Sequence, residues 1–250
     1  MAKYGILTDV GKCIGCHACT TACRVKNDTP EGVFWTRVKT YEQGTFPDAR
    51  PYTAPLSRCM HCEYPACVSA CPVGALGKGE EGPVTYDASK CVGCRYCMAA
   101  CPFHTPQLDW DSVLSSIQKC QLCADRLAAD LEPACASVCP TGALSFGERA
   151  SLLADARERI QASGGRYVNH IYGENEVGGT SVLYISPVEF ESLGLSPLGS
   201  EPLTELSEKV AVIGTPAIAG VAAAVLGGLY LFTKRRERGK AASTAAEDSK

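Results

Sequence analysis

Sixteen cysteines, all lying between Cys13 and Cys139, constrain this 250-residue chain more than any other feature. They form four groups: Cys13, Cys16, Cys19 and Cys23; Cys59, Cys62, Cys67 and Cys71; Cys91, Cys94, Cys97 and Cys101; and Cys120, Cys123, Cys135 and Cys139. The third group, K-C-V-G-C-R-Y-C-M-A-A-C-P from Lys90 to Pro102, has the spacing C-x2-C-x2-C-x3-C-P. The first repeats it with Arg24 in place of the proline, the second widens its middle gap, and the fourth carries an insertion between Cys123 and Cys135. All close with x3-C. Matches outside the cysteines indicate a repeated unit: D-V-G-K-C at Asp9–Cys13 answers D-A-S-K-C at Asp87–Cys91, and C-P-V-G-A-L at Cys71–Leu76 answers C-P-T-G-A-L at Cys139–Leu144. A basic residue, Lys12, Arg58, Lys90 or Lys119, precedes the first cysteine of each group.

Such a concentration of thiols needs a cause. Disulfide frameworks belong mainly to small secreted domains with well-separated cysteines, and no N-terminal signal peptide is recognisable. A structural zinc site takes two separated C-x2-C pairs, and a triple run leaves one thiolate poorly placed round a tetrahedral ion. The spacing suits iron-sulfur ligation directly, with three thiolates on one cubane and the fourth on a neighbouring cluster. Sixteen thiols then divide into four clusters with none left over, so no catalytic residue is expected. A zinc-stabilised docking scaffold is the alternative from another class. His17 and His61, inside cysteine groups, read as hydrogen-bonding or exposed side chains rather than ligands, and His104 and His170 carry no motif. The basic residues before the groups read either as cations that raise cluster potentials or as solvated charge at a loop entry. A net charge of -3 without a basic excess argues against a nucleic-acid partner.

Along the chain, Tyr4–Asp9 reads as a strand. Residues 24–58, with four prolines, read as an irregular insertion with one strand at Phe34–Thr40 and a partner-docking role. Val84–Tyr86 is a further short strand. Beyond a cluster domain at residues 1–150, residues 151–209 read as a cover: an amphipathic helix at Ser151–Ala162 with Ser151 as N-cap, a strand at Val182–Ser186 and a turn-rich linker at Gly194–Pro202.

Val210–Phe232 contains no charge over twenty-three residues. A helix of that length spans roughly 34 Å, enough for a hydrocarbon core of about 30 Å. It is expected to cross a lipid bilayer once, leaving residues 233–250 as a basic tail. Lys234, Arg235, Arg236, Arg238 and Lys240 follow the span, whereas Lys209 precedes it among Glu201, Glu205 and Glu208. The positive-inside rule places the tail in the cytoplasm and the cluster domain on the periplasmic side of the inner membrane. The chain has no twin-arginine signal, so export with a signal-bearing partner is expected.

C-M-H-C-E-Y-P-A-C at Cys59–Cys67, C-R-Y-C-M-A-A-C-P-F at Cys94–Phe103 and C-P-T-G-A-L at Cys139–Leu144 resemble the iron-sulfur subunits of respiratory molybdopterin oxidoreductases. Y-G-E-N-E-V-G-G-T-S-V-L-Y at Tyr172–Tyr184, followed by a single span, is similar to the beta subunit of membrane-bound formate dehydrogenase, and more so to the ferredoxin-like subunit of uptake [NiFe] hydrogenases. P-E-G-V-F-W at Pro30–Trp35 looks more like subunits serving polysulfide, thiosulfate or arsenate reductases. The resemblance implies an α+β fold of two ferredoxin-like 2[4Fe-4S] modules interleaved in sequence, plus the C-terminal helix. It implies four [4Fe-4S] clusters, held by Cys13, Cys16, Cys19 and Cys139; by Cys120, Cys123, Cys135 and Cys23; by Cys59, Cys62, Cys67 and Cys101; and by Cys91, Cys94, Cys97 and Cys71. It further implies a non-catalytic wire between a catalytic oxidoreductase subunit and an integral membrane subunit that binds quinone or haem.

Overall fold

The computed structural model describes residues 3–110, 116–205 and 210–247, and the chain divides into two compact units at Thr204/Glu205. Along the first unit run β1 (Tyr4–Asp9), α1 (Ala18–Asn27), β2 (Thr36–Gln43), β3 (Arg50–Arg58), α2 (Ala66–Ser69), β4 (Leu76–Lys78), β5 (Val84–Tyr86), α3 (Tyr96–Ala100), β6 (Gln107–Leu108), β7 (Ile117–Gln118), α4 (Ala124–Leu127), α5 (Ala134–Ser137), β8 (Leu144–Glu148), α6 (Arg149–Ala162) and β9 (Val182–Ile185).

The x3-C ending of the first group follows from helix geometry, because residues four apart share a helix face, and in the other groups a short helix carries the first cysteine of the pair. Cys19 and Cys23 both lie on α1, and both are buried. Cys97 lies on α3 with Cys101 just past its end; Cys67 and Cys135 lie on α2 and α5. The loops before α1 and α3 have nearly the same backbone: φ is 68° at Gly15 and 69° at Gly93, then 60° at His17 and 65° at Arg95. Only glycine enters this left-handed region freely. The duplication inferred from the sequence is therefore also a duplication of turns.

Two apolar cores enclose cysteines. One joins Cys19 and Cys135 with Ile6, Val38, Leu122 and Leu144, and the other joins Cys67 and Cys97 with Leu76, Val84, Leu108 and Ile117. Accordingly α1 packs on α5 and α2 on α3.

The sheet nearest the first core has β1 at its centre, antiparallel to β8 and parallel to β9. β9 ends at Ile185, and its four residues are buried. The turns before it hold the second cysteine group: Glu63 N–H donates to Gly179 O (2.9 Å), and Val182 N–H donates to Met60 O (3.1 Å). The Tyr172–Tyr184 motif is thus a clamp on Cys59–Cys67.

Two expectations shift. Residues 36–58 form a full hairpin, β2 with β3, where the four prolines suggested an irregular insertion. Pro51 and Pro55 lie in β3, which pairs only with β2, and Pro55 falls at the register shift between Arg37 and Lys39, so the missing amides are tolerated. Helix α6 begins at Arg149 rather than after Ser151, directly from β8. Arg149 N–H donates to Lys3 O (2.7 Å), which satisfies a first-turn donor without a side-chain cap.

In the second unit a π-helical turn, Val210–Gly214, leads into a helix at Thr215–Glu247. Val212–Arg236, 25 residues, is long and apolar enough to cross a membrane, and Ile218, Val221, Val225, Leu229 and Phe232 on it are exposed. Lys209 and Glu208, used in the charge-asymmetry argument, lie outside the described residues.

Candidate iron-sulfur centres

The fold gathers the sixteen cysteines into quartets drawn from different groups. Cys13, Cys16, Cys19 and Cys139 line one cavity, Cys23, Cys120, Cys123 and Cys135 a second, and Cys71, Cys91, Cys94 and Cys97 a third. These cavities enclose similar space, about 340, 290 and 310 Å3 with their open mouths. Cys62 completes a fourth set with Cys59, Cys101 and Cys67, the cysteines that act on it electrostatically. The thiols surround cavities rather than a point: among the described residues no three Cys, His, Asp or Glu side chains converge on a single-ion site.

Quartets also neighbour one another: Cys19 and Cys135 share one apolar core, and Cys67 and Cys97 share the other. Cys135 of the second set acts on Cys19 of the first, Cys59 of the fourth acts on Cys120 of the second, and Cys97 of the third acts on Cys67 of the fourth. The sets defined by Cys23 and Cys59 therefore lie in the middle and those defined by Cys13 and Cys91 at the ends. Cys16 and Cys94, both at the ends, are the exposed cysteines, and beside them Ile14 and Val92 are each 66% exposed.

The surroundings suit anionic sulfur. Backbone N–H groups donate to Cys71 Sγ from Ala75 (3.2 Å), to Cys139 Sγ from Leu144 (3.4 Å) and to Cys120 Sγ from Leu122 (3.4 Å). Asn27 Nδ2 donates to Cys23 Sγ (3.5 Å). At Cys71 partial burial is outweighed by the amides of Leu76, Ala75, Val73 and Gly74, which lower the thiol pKa. Elsewhere burial dominates: it pushes Cys23 up to about 11 and Cys67 up to about 12, and it raises Cys62 and Cys120 strongly. Without iron these are thiols, and each must release a proton when it becomes a ligand.

The four basic residues divide sharply. Lys12 and Lys90 are half-exposed and sit near carboxylates, Lys12 at 3.9 Å from Asp9 and Lys90 at 3.3 Å from Asp87. Arg58 and Lys119 are each only 2% exposed. Arg58 Nη2 points at Cys135 Sγ (3.7 Å), while its Nε and Nη1 find no acceptor among the described residues. Lys119 Nζ donates to Val84 O (2.5 Å) and Cys120 O (2.6 Å). Burial opposes the charge on Arg58 and the neighbouring Cys135, Tyr184, Cys120 and Cys19 favour it, with the net direction upward from the ordinary guanidinium value. A buried cation without an anion is prohibitively costly, so these two mark buried negative charge, which thiolate-ligated clusters supply.

His61 is fully buried, and its Nδ1 accepts from Val84 N–H (2.9 Å), as expected for a hydrogen-bonding side chain. Burial, with Lys119, Arg58 and Lys78 nearby, keeps it neutral. The sequence drew attention to Arg58 and Lys119 by position and to Trp35 within the Pro30–Trp35 motif, but Asn27, which also lines the Cys23 cavity, carries no sequence signal.

Comparison with known proteins agrees with this chemistry. The 4Fe-4S dicluster domain matches residues 52–149, and a 4Fe-4S binding domain matches residues 11–26. The hydrogenase-2 operon protein HybA of Escherichia coli O157:H7 is 34% identical, over 83% of this chain and 77% of its own length. The chain belongs to the electron-transfer iron-sulfur subunit family. Within this family, the nitrate-inducible formate dehydrogenase iron-sulfur subunit of Escherichia coli K12 is 36% identical over 74% of this chain and 68% of its own length. The thiosulfate reductase electron transfer subunit PhsB of Salmonella typhi is 47% identical over 58% of this chain and 76% of its own length. As a family member the chain transfers electrons, and its sixteen cysteines correspond to four [4Fe-4S] clusters. Such clusters supply one-electron storage at tunable potential; the chain's own residues supply ligands, shielding and charge.

Proposed function

We propose that the chain is a membrane-anchored relay carrying single electrons between a catalytic subunit and a quinone-reactive membrane subunit. What supports this reading is that cysteines of neighbouring sets share apolar cores, Cys19 with Cys135 and Cys67 with Cys97, while Cys16 and Cys94 of the outer sets are exposed. The ligand sets are those the family resemblance implies: Cys13, Cys16, Cys19 and Cys139; Cys23, Cys120, Cys123 and Cys135; Cys59, Cys62, Cys67 and Cys101; Cys71, Cys91, Cys94 and Cys97. Groups one and four form one ferredoxin-like module and groups two and three the other, interleaved in sequence. The packing of α1 on α5 and of α2 on α3 supports that division.

Residues 1–150 are the cluster domain, 151–209 its cover, 210–232 the anchor and 233–250 the cytoplasmic tail, with the clusters on the periplasmic side. The catalytic partner is a [NiFe] hydrogenase or a molybdenum or tungsten bis-pterin enzyme such as formate dehydrogenase. Matches at 34% identity to HybA over 83% of this chain and to the formate dehydrogenase iron-sulfur subunit of Haemophilus influenzae over 90% of it support the two alike. The 47% identity to PhsB favours a thiosulfate-type reductase as the second reading.

Purification from detergent tests the proposal. About sixteen irons per chain and an absorption near 400 nm that bleaches with dithionite are expected, and a colourless zinc protein would overturn it. Nickel, molybdenum or tungsten in the largest co-purifying subunit decides between the partners. Protease treatment of intact spheroplasts should degrade the cluster domain; protection would sink the periplasmic orientation.

A further inference from the structure

Arg58 immediately precedes the second cysteine group and Lys119 the fourth, yet each reaches past its own group, although Lys119 Nζ also donates to Cys120 O (2.6 Å). Arg58 lines the cavity of Cys23, Cys120, Cys123 and Cys135, with Nη2 at 3.7 Å from Cys135 Sγ. Lys119 reaches the carbonyl of Val84, inside the core that contains Cys67 and Cys97. The electrostatics follow the same crossed pattern. Cys120, next to Lys119, is influenced chiefly by Arg58 among cations, and Cys67, in the group of Arg58, is influenced by Lys119. Among the described residues neither cation pairs with a carboxylate, unlike Lys12 and Lys90.

The middle of the relay faces a physical difficulty that its ends do not. Reducing a cluster adds one negative charge, and burial away from water penalises that charge, so a central cluster in a purely apolar setting is harder to reduce than one at the surface. A fixed cation within a few ångströms offsets the penalty, and in a poorly screened interior its effect is strong and nearly independent of salt.

We propose that Arg58 and Lys119 are crossed potential-setting residues: each cation, fixed at the entrance of one cysteine group, raises the reduction potential of the central cluster belonging to the other module. Arg58 acts on the cluster of Cys23, Cys120, Cys123 and Cys135, and Lys119 acts on the cluster of Cys59, Cys62, Cys67 and Cys101. The arrangement also accounts for two uncompensated cations in the interior, since each module's anionic cluster neutralises a cation lent by its neighbour. It rests on the ligand sets proposed above.

The test is potentiometric titration followed by low-temperature EPR on the full-length protein in its purified complex, with iron counted for each variant. Cys135→Ser and Cys67→Ser first assign the two central signals by their loss; if these remove the same signal or a terminal one, the ligand sets fail before the cations are tested. Arg58→Met should then lower the midpoint of the Cys135-dependent signal by at least a tenfold change in the reduced-to-oxidised ratio, about 59 mV for a one-electron couple. It should move the Cys67-dependent signal far less. Lys119→Met should do the reverse. Arg58→Lys, which keeps the charge but withdraws it from Cys135, should give a smaller shift of the same signal, and it decides the matter alone if the methionine variant loses iron. The proposal is overturned if the shifts fall on the group that each residue precedes. It is equally overturned if Arg58→Lys, with full iron, leaves the native midpoint unchanged.

Discussion

The first and third cysteine groups differ from the second and fourth in a way that runs from spacing to charge. The first and third keep the regular C-x2-C-x2-C-x3-C spacing, share left-handed turns at Gly15 and Gly93, expose Cys16 and Cys94, and are preceded by half-exposed lysines near aspartates. The second and fourth have altered spacing, bury Cys59, Cys67, Cys120, Cys123 and Cys135, and are preceded by buried cations. The regular groups form the ends of the succession and the altered ones its middle. The altered loops leave room for neighbouring protein: residues 179–182 clamp Cys59–Cys67, and the insertion between Cys123 and Cys135 carries α4. A single repeated unit has thus been used in two environments, wet at the ends and dry in the centre.

The largest expected consequence concerns the ligands. Cys101→Ala should lose the cluster of Cys59, Cys62 and Cys67 before that of Cys91, Cys94 and Cys97, and should destabilise the fold, because Cys101 is buried and neighbours Cys62 and Cys67. Cys16→Ala, at an exposed end, should cost roughly a quarter of the iron and leave a folded protein. Iron analysis with EPR distinguishes these outcomes, and equal damage from both would erase the contrast between middle and ends.

Acid should reveal the same contrast more gently. Ligation requires loss of the thiol proton, and burial raises Cys23, Cys62, Cys67 and Cys120, so these protons are held more tightly and falling pH opposes iron binding most strongly there. At the ends burial also raises Cys19 and pushes Cys97 up to about 11, neither as far as Cys67 at about 12, while Cys71 is lowered and should bind iron to lower pH. Reconstitution of the apoprotein at stepwise lower pH should fail first at the central quartets; simultaneous failure would contradict the assignment.

Within the regular groups a smaller difference is expected. Asp9 is 1% exposed, accepts from Tyr167 OH (2.6 Å) and lies 3.4 Å from Arg159, whereas the Asp87 side chain is 46% exposed and, among the described residues, holds Ser89 and Lys90. Asp9→Asn should cost about 1–3 kcal/mol in thermal or denaturant unfolding, while Asp87→Asn should be indistinguishable from the native protein. Smallest of all, Lys12→Met and Lys90→Met should change stability by about 0.5 kcal/mol or less and leave every cluster midpoint in place. A shift comparable to that of Arg58→Met would show that exposure does not govern the role of these cations.

Much of this protein was legible from the sequence because the information is local. The C-x2-C-x2-C-x3-C spacing points to iron-sulfur ligation, the matches outside the cysteines point to a repeated unit, and an uncharged run of twenty-three residues points to a helix long enough for a bilayer. The hairpin at residues 36–58 was read only in part, since prolines argue against strands unless the strand is known to have a free edge. The start of α6 was misplaced because the group that satisfies its first-turn amide, the carbonyl of Lys3, is remote in sequence.

What the chain by itself determined is the kind of cofactor, the number of ligands and the repeated turn that presents them. What only the tertiary structure decided is which copies of that repeat are buried. D-V-G-K-C and D-A-S-K-C look alike, yet α6 and Tyr167 cover Asp9 while Asp87 faces water. Lys12, Arg58, Lys90 and Lys119 occupy the same position in each repeat, and only the meeting of the groups in the interior separates cations that water screens from cations that the clusters must neutralise. Burial belongs to long-range packing, which a local pattern does not encode, and burial is what turns a surface charge into a determinant of potential.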